Sequence, residues 1–160
     1  MTREACFWTP VGAIASIVGI CLWGVQAMAA DGLTTLPSGH GPKETIERLE
    51  AAVKAKGLTI FARIDHAAGA AEVGLPLRPT TVLIFGNARG GTPLMQAAQT
   101  VGIDLPLKAL VWQDSAGKTW LSYNDPACIA QRHGLGHEVD PIVKGLTGAL
   151  DALAKGATSP

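Results

Sequence analysis

A glycine-rich segment at residues 86–92, Gly-Asn-Ala-Arg-Gly-Gly-Thr, holds the residue types best suited to binding a small ligand. Its small residues let the backbone approach a ligand closely, and the guanidinium group of Arg89 suits a carboxylate or a phosphate. Thr92 followed by Pro93 predicts a helix start, where unpaired N–H groups favour an anion. The spacing matches neither a Walker loop nor a dinucleotide fingerprint. The segment is either an anion-binding loop that uses Asn87, Arg89 and Thr92, or a tight turn into a capped helix.

His66 is the second candidate for a ligand site, because its imidazole can exchange a proton or bind a metal near neutral pH. Asp65 precedes it, but consecutive side chains of a strand point to opposite sides, so no dyad is predicted. If the strands before His66 and Asn87 are parallel, His66 joins Asn87 and Arg89 in one anion site. Antiparallel strands would place them at opposite edges. A local capping role is the alternative for His66.

The segment at residues 123–126, Tyr-Asn-Asp-Pro, links a predicted hairpin to a helix. Its polar groups suit helix capping and loop closure, and Tyr123 and Asn124 are also candidate ligand contacts. Trp112 and Trp120 lie on the two arms of the hairpin. They are expected to pair across the strands or to line a groove.

Three further residues raise the question of metal binding or nucleophilic catalysis. His133 and His137 flank two glycines, and no further cluster completes a zinc or copper site, so no metal or other cofactor is predicted. His133 is expected at a helix C-terminus, where a positive charge is favourable. Cys128 lies in the predicted first turn of a helix, which favours a thiolate, but its apolar neighbours are typical of a small core residue.

The N-terminus is typical of a signal peptide. Arg3 supplies a positive charge, residues 11–25 contain no charged residue, and Ala-Met-Ala at residues 27–29 places small residues where a signal peptidase cleaves. Residues 1–29 are therefore predicted to be removed, which leaves a soluble periplasmic protein of residues 30–160. A membrane anchor is the alternative, but the stretch is near the shortest that spans a bilayer, and no basic cluster follows it.

Composition limits the partners of the exported chain. The whole chain has 13 Lys plus Arg and 13 Asp plus Glu, and only Arg3 and Glu4 fall within residues 1–29, so the charges stay balanced. Because no long run of either sign occurs, neither nucleic acid nor a membrane surface is expected as a partner. A second copy of the chain, in a homodimer, is an alternative partner. Cys128 is the one cysteine after residue 29, so no internal disulfide is possible, and the length suits a single domain.

Hydrophobic periodicity and turn residues predict five strands and five helices. The predicted strands cover residues 34–36, 58–65, 80–85, 108–113 and 118–123, and the predicted helices cover residues 42–57, 66–73, 92–102, 125–134 and 140 onwards. Leu83 and Leu110 are expected in the core. Strands joined by a hairpin and mixed with helices predict a two-layer α+β fold, an antiparallel-dominated sheet with helices packed on one face.

Several short phrases occur in a fixed order between residues 63 and 126. They are Asp65-His66, Phe85-Gly86-Asn87, Gly-Thr-Pro-Leu-Met at 91–95, Leu-Pro-Leu-Lys at 105–108 and Ser-Tyr-Asn-Asp-Pro at 122–126. In these phrases the chain resembles the bacterial family called domain of unknown function 302. The resemblance implies a TBP-like fold and includes His66 among the family's residues. Ala88 departs from the family's pattern, which has proline at this position.

These features favour a non-enzymatic periplasmic module that binds a small anionic ligand or assists another protein. No set of nucleophile, base and orienting group is visible, so catalytic residues stay unassigned. One alternative is a small periplasmic enzyme that uses His66 as acid or base with Cys128 or Tyr123 nearby. A weak transition-metal binder is the other alternative.

Overall fold

The structure of the chain is a computed structural model that describes residues 32–160. The predicted signal peptide, residues 1–29, lies outside the described residues. Within the described range, no helix is both long and apolar enough to cross a membrane.

Within residues 32–160, five strands form a single sheet. They are β1 (Leu33–Pro37), β2 (Thr59–Asp65), β3 (Thr80–Gly86), β4 (Leu107–Gln113) and β5 (Thr119–Asn124). Their order across the sheet is β1-β5-β4-β3-β2, and every neighbouring pair is antiparallel. The predicted antiparallel sheet, including the hairpin between β4 and β5 and the edge strand β1, is confirmed.

In the described part of the chain, five α-helices accompany the sheet. They are α1 (Pro42–Ala55), α2 (His66–Glu72), α3 (Ala88–Ala97), α4 (Pro126–Arg132) and α5 (Asp140–Thr158), with short 3₁₀ helices at Gln99–Ile103 and His137–Val139. The long helices α1 and α5 pack against each other and against the same face of the sheet. The predicted α+β fold with helices on one face is therefore confirmed.

The main core lies between the sheet and these two long helices. Its buried side chains include Ile46, Leu49, Val53, Leu83, Phe85, Leu121, Leu150 and Leu153. A second cluster joins α3 and α4 to the start of α5 through Leu94, Val101, Ile129, Val139 and Val143. Leu105 and Leu146 pack against both clusters. Through these contacts α5 fixes the position of α3 relative to the sheet.

Alternation along the strands decides which side chains are buried. Leu83 is fully buried and pairs with Ala109 in the helix-covered face, whereas Val82 pairs with Leu110 in the opposite face. Leu110 is only half-buried. The expectation that Leu110 shares the core with Leu83 is wrong, because the two residues lie on opposite faces of the sheet.

The opposite face carries the predicted tryptophan pair. Trp112 and Trp120 are register partners, with ring centroids 6.1 Å apart and an interplanar angle of 20°. The Nε1 atom of Trp112 donates to Ser122 Oγ at 2.9 Å, and that of Trp120 donates to Asp114 Oδ2 at 2.8 Å. The cross-strand pairing predicted for these residues is confirmed.

Helix α3 begins earlier than the Thr-Pro pair predicted. Asn87 is its N-cap, and the side-chain oxygen of Asn87 accepts a hydrogen bond from Gly90 N at 2.7 Å. Thr92 is instead an exposed residue inside the helix, followed by Pro93. A proline there removes the one hydrogen bond that its N–H would donate to the carbonyl of Arg89. The prediction that Thr92 caps this helix is wrong, because Asn87 directly after β3 already caps it.

Candidate functional site

A cavity of about 490 Å³ opens beside the loop that joins β3 to α3. The backbone of residues 86–91 forms one wall. Apolar side chains from other elements form the rest, among them Phe61, Met95, Leu105, Leu146 and Ala149. A cavity of this volume is within the range that binds small organic molecules.

The glycines of this wall differ in how closely other atoms approach them. A Cβ atom placed on Gly86 would lie 3.7 Å from Cβ of Pro106, which is an ordinary van der Waals contact, so close packing does not require glycine there. A Cβ atom on Gly90 would lie 3.2 Å from the capping oxygen of Asn87, which is tighter than side chains normally allow. Glycine at position 90 therefore permits the cap that starts α3.

Arg89 is the charged residue of this cavity wall, and Asn87 is its neighbouring polar side chain. Both are exposed, and among the described residues Arg89 has no ion-pair partner. By contrast, Arg63 pairs with Glu50 at 3.0 Å. The guanidinium group of Arg89 is therefore available to an anionic group at the cavity, as are the N–H donors of the Asn87 amide.

His66 lies at the opposite end of the sheet. Strand β2 runs antiparallel to β3, with Thr59 opposite Gly86 and Asp65 opposite Thr81. His66 is an exposed first residue of α2, and Asp65 caps that helix by accepting a hydrogen bond from Ala68 N at 3.0 Å. The prediction of one site that contains His66, Asn87 and Arg89 required parallel strands, so this topology does not bring the three residues together.

Tyr123, Asn124 and Thr92 also lie away from the cavity. Tyr123 and Asn124 border a separate depression of about 230 Å³, which Trp112 also lines. Tyr123 is buried, and this burial raises the pKa of its hydroxyl, to which the negative charge of Asp151 adds. Thr92 is exposed on α3 and does not line the cavity. Of the sequence candidates, the structure places Asn87 and Arg89 together at the cavity.

Cys128 and His66 do not form a catalytic pair. Cys128 is half-buried near the start of α4, where a Cβ atom on Gly32 would lie 2.9 Å from its own Cβ. Helix α4 follows the C-terminal end of β5, and the register of the sheet puts that end on the same side as Gly86. His66 therefore lies across the sheet from Cys128.

His133 joins two helix ends. Its Nε2 atom lies 2.8 Å from Asp104 Oδ2, and its Nδ1 atom lies 3.0 Å from Thr100 Oγ1. The hydrogen bond from His133 lowers the pKa of the Asp104 carboxyl, and the charge of Arg132 lowers it further. The predicted position of His133 at a helix C-terminus is confirmed, since it is the C-cap of α4. Across residues 32–160, no three His, Cys, Asp or Glu side chains are grouped as metal ligands.

Sequence reasoning missed the apolar walls of the cavity. Met95, Leu105, Leu146 and Ala149 come from elements far apart in the chain, so no local pattern links them. Phe61 did carry a signal, because it interrupts the polar side of the alternation along β2 and is 57% exposed. A large aromatic residue on an exposed strand face is a reason to look for a ligand or partner.

The fold and the cavity define an α+β protein with one antiparallel sheet and an apolar site at a strand-to-helix loop. The model of the family described as "Domain of unknown function DUF302" matches residues 34–153, and the chain belongs to this family. A crystal structure of an uncharacterized conserved DUF302 protein from Bacillus stearothermophilus is similar, with a TM-score of 0.72, 24% identity, and coverage of 80% of this chain and 99% of that chain. This similarity shows the fold.

Curated relatives from Brucella are named for a whole-protein activity. The protein named fluoride-specific ion channel FluC 1 of Brucella suis biovar 1 (strain 1330) is 50% identical over 128 residues, which cover 78% of this chain and 50% of the relative. The protein named FluC 2 of Brucella melitensis biotype 1 (strain ATCC 23456 / CCUG 17765 / NCTC 10094 / 16M) shows the same identity, with 47% of its length covered. The chain thus spans about half the length of the curated relatives it matches.

Proposed function

We propose that this chain is an exported, non-enzymatic module that binds a small organic ligand in the cavity beside the β3–α3 loop. The observation that carries the proposal is the apolar cavity of about 490 Å³ with Arg89 and Asn87 in its wall. Apolar walls with a few placed polar groups are the usual composition of a small-molecule site. The separation of His66 from Cys128 favours binding over catalysis, because the acid–base pair that the sequence suggested is not assembled.

Native mass spectrometry of the protein purified from the periplasm of its own bacterium tests this proposal. The expected result is a bound small molecule that is lost from Ala149→Phe, whose added ring fills the cavity. Ala152→Phe is the matched control, because Ala152 lies on the exposed side of the same helix. Protein that carries no small molecule and binds no added organic probe would contradict a ligand-binding function.

The role of Arg89 is tested separately by calorimetric titration with sulfate, phosphate and carboxylates. Arg89→Ala should weaken binding of an anionic ligand and leave the free energy of unfolding unchanged, because an exposed arginine in the first turn of α3 contributes little to the core. His66→Ala should bind as tightly as the parent, since His66 lies at the other end of the sheet. Equal weakening by both substitutions would support the single site that the sequence suggested.

A second candidate function is to assist a fluoride-specific ion channel. It is favoured by the 50% identity to about half the length of relatives that carry that name. Deletion of the gene should then lower the fluoride concentration that stops growth, while tolerance of chloride stays unchanged. Expression of the parent chain should restore fluoride tolerance. Unchanged fluoride tolerance in the deletion strain, measured beside a strain that lacks its fluoride channel, would count against this role.

A further inference from the structure

The volume and the walls of the cavity limit the class of ligand that it can bind. Leu146 and Ala149 line it from α5, and the buried Leu150 and Leu153 lie beside them in the core. We call this cavity, which lies between α5 and the end of the sheet, the slot. An inorganic anion would occupy only a small part of it and would leave the apolar walls in contact with water.

The walls of this slot suit an apolar chain. Of the described residues that line it, Arg89 is the one that carries a charge, and Asn87 is the one other residue with a polar side chain. Met95 has a flexible side chain that adapts to the outline of a chain. Burial of an alkyl chain against such walls is favourable in proportion to the apolar area removed from water.

The charge of the site selects the head group. Gly90 N donates the capping hydrogen bond to Asn87 Oδ1, and the two atoms lie 2.7 Å apart. The side-chain N–H groups of Asn87 are therefore free of this bond and can donate to a ligand. A single cation beside these donors matches a single negative charge better than a dianion or a cation. Arg89 and Asn87 are both exposed, so the head group would lie at the mouth while the chain enters the slot.

We propose that the ligand is an amphipathic monocarboxylate, with its unbranched alkyl chain in the slot and its carboxylate at Arg89 and Asn87. This inference rests on the proposed function, since it names the ligand class for the same cavity. It assigns the two parts of the site separate roles. The walls set the length of the chain, and Arg89 sets the charge of the head group.

Calorimetric titration of the parent chain with butanoate, hexanoate, octanoate, decanoate and dodecanoate tests the chain. Affinity should rise by about fourfold for each added methylene group until the slot is filled, and then level off. In Ala149→Phe, the affinity should stop rising at a shorter alkyl chain, or binding should be lost. Ala152→Phe should bind each carboxylate with the same affinity as the parent. An affinity that does not depend on chain length would overturn the proposal.

The head group is tested with decanoate, 1-decanol and decyltrimethylammonium. Arg89→Gln should weaken decanoate binding by about tenfold, the lower end for a hydrogen bond to a charged group, and leave decanol binding unchanged. Because Arg89 is exposed, this variant should fold as the parent does, and equal thermal midpoints would confirm it. Lys56→Ala is the charge-matched control, because Lys56 is exposed at the end of α1 and does not line the cavity.

The outcomes separate this inference from the proposed function. Decanoate and decanol could bind equally well, with no effect of Arg89→Gln. That result would contradict the role of the carboxylate and would still support a site for an apolar ligand. Phosphate or acetate could bind as tightly as decanoate, and Arg89→Gln could abolish that binding. This result would contradict the role of the alkyl chain and would still support an anion site. Absence of binding by every probe, together with protein that carries no small molecule from its host, would overturn both.

Discussion

Asp104 is placed so that its ionisation supports the fold. Its carboxylate lies 2.8 Å from His133 Nε2 and 3.1 Å from Arg132 Nη1, and its side chain is 13% exposed. These contacts lower the pKa of Asp104, with the hydrogen bond from His133 as the largest cause. A carboxyl whose pKa is lower in the folded state stabilises the fold above its unfolded pKa and loses that contribution as pH falls through the folded pKa.

We therefore predict that Asp104→Asn lowers the free energy of unfolding at pH 7 by about 1 to 2 kcal/mol. The parent should lose this stability below about pH 4, so the variant should show a shallower decline there. Urea denaturation between neutral and acid pH measures both effects. Asp140→Asn is the matched control, because Asp140 pairs at 3.1 Å with His137, whose side chain is fully exposed. Parallel acid declines for the parent and Asp104→Asn would contradict the prediction.

The start of α3 gives a prediction at the scale of elements. Asn87 accepts the capping hydrogen bond from Gly90 N at 2.7 Å, whereas Thr92 is exposed inside the helix. Asn87→Ala should cost about 1 kcal/mol of stability, the usual cost of losing a side-chain cap. Thr92→Ala should stay within about 0.5 kcal/mol of the parent. A larger loss for Thr92→Ala than for Asn87→Ala, by thermal unfolding, would restore Thr92 as the cap.

Two leucines on neighbouring strands test the assignment of sheet faces. Leu83 is 0% exposed beneath the helices, while Leu110 lies half-buried on the opposite face. Leu83→Ala should cost about 2 to 5 kcal/mol, because it leaves a cavity in the core. Leu110→Ala should cost less than about 2 kcal/mol, because less apolar surface is buried there. Equal costs by urea denaturation would mean that something in solution covers the second face.

Most elements could be predicted from local patterns, because each has its own periodicity and end signals. The start of α1 at Pro42 and the alternation along β2 are examples of local information. The order β1-β5-β4-β3-β2 was not predictable, since it depends on contacts between residues distant in the chain. The antiparallel direction of β2 and β3 separates His66 from Arg89, and the packing of α5 against the sheet forms the slot. Sequence reasoning therefore found the loop of the site but not its walls.

At the scale of the whole molecule, both ends of the described chain are tied to the domain. Gly32 O accepts a hydrogen bond from Asp125 N at 2.8 Å. Near the other end, Ser159 O accepts one from Arg48 Nη2 at 3.0 Å and lies 2.7 Å from His40 Nε2. Every strand, helix and core residue described above falls within residues 32–160. The sheet and helices described above therefore lie within the part of the chain that is predicted to remain after cleavage before Ala30.

We predict that the exported protein begins at Ala30 and is recovered from the soluble periplasmic fraction. The reason is the order of a positive Arg3, an uncharged stretch at residues 11–25 and small residues at positions 27 and 29. N-terminal sequencing of the exported protein measures the cleavage site. Ala29→Arg should block cleavage and leave the longer chain in the membrane fraction, because the peptidase requires a small residue there, whereas Gln26→Asn should be cleaved normally. If the parent chain keeps residues 1–29 and sediments with the membrane, the segment is an anchor, and the cavity beside Arg89 would serve a membrane-attached protein.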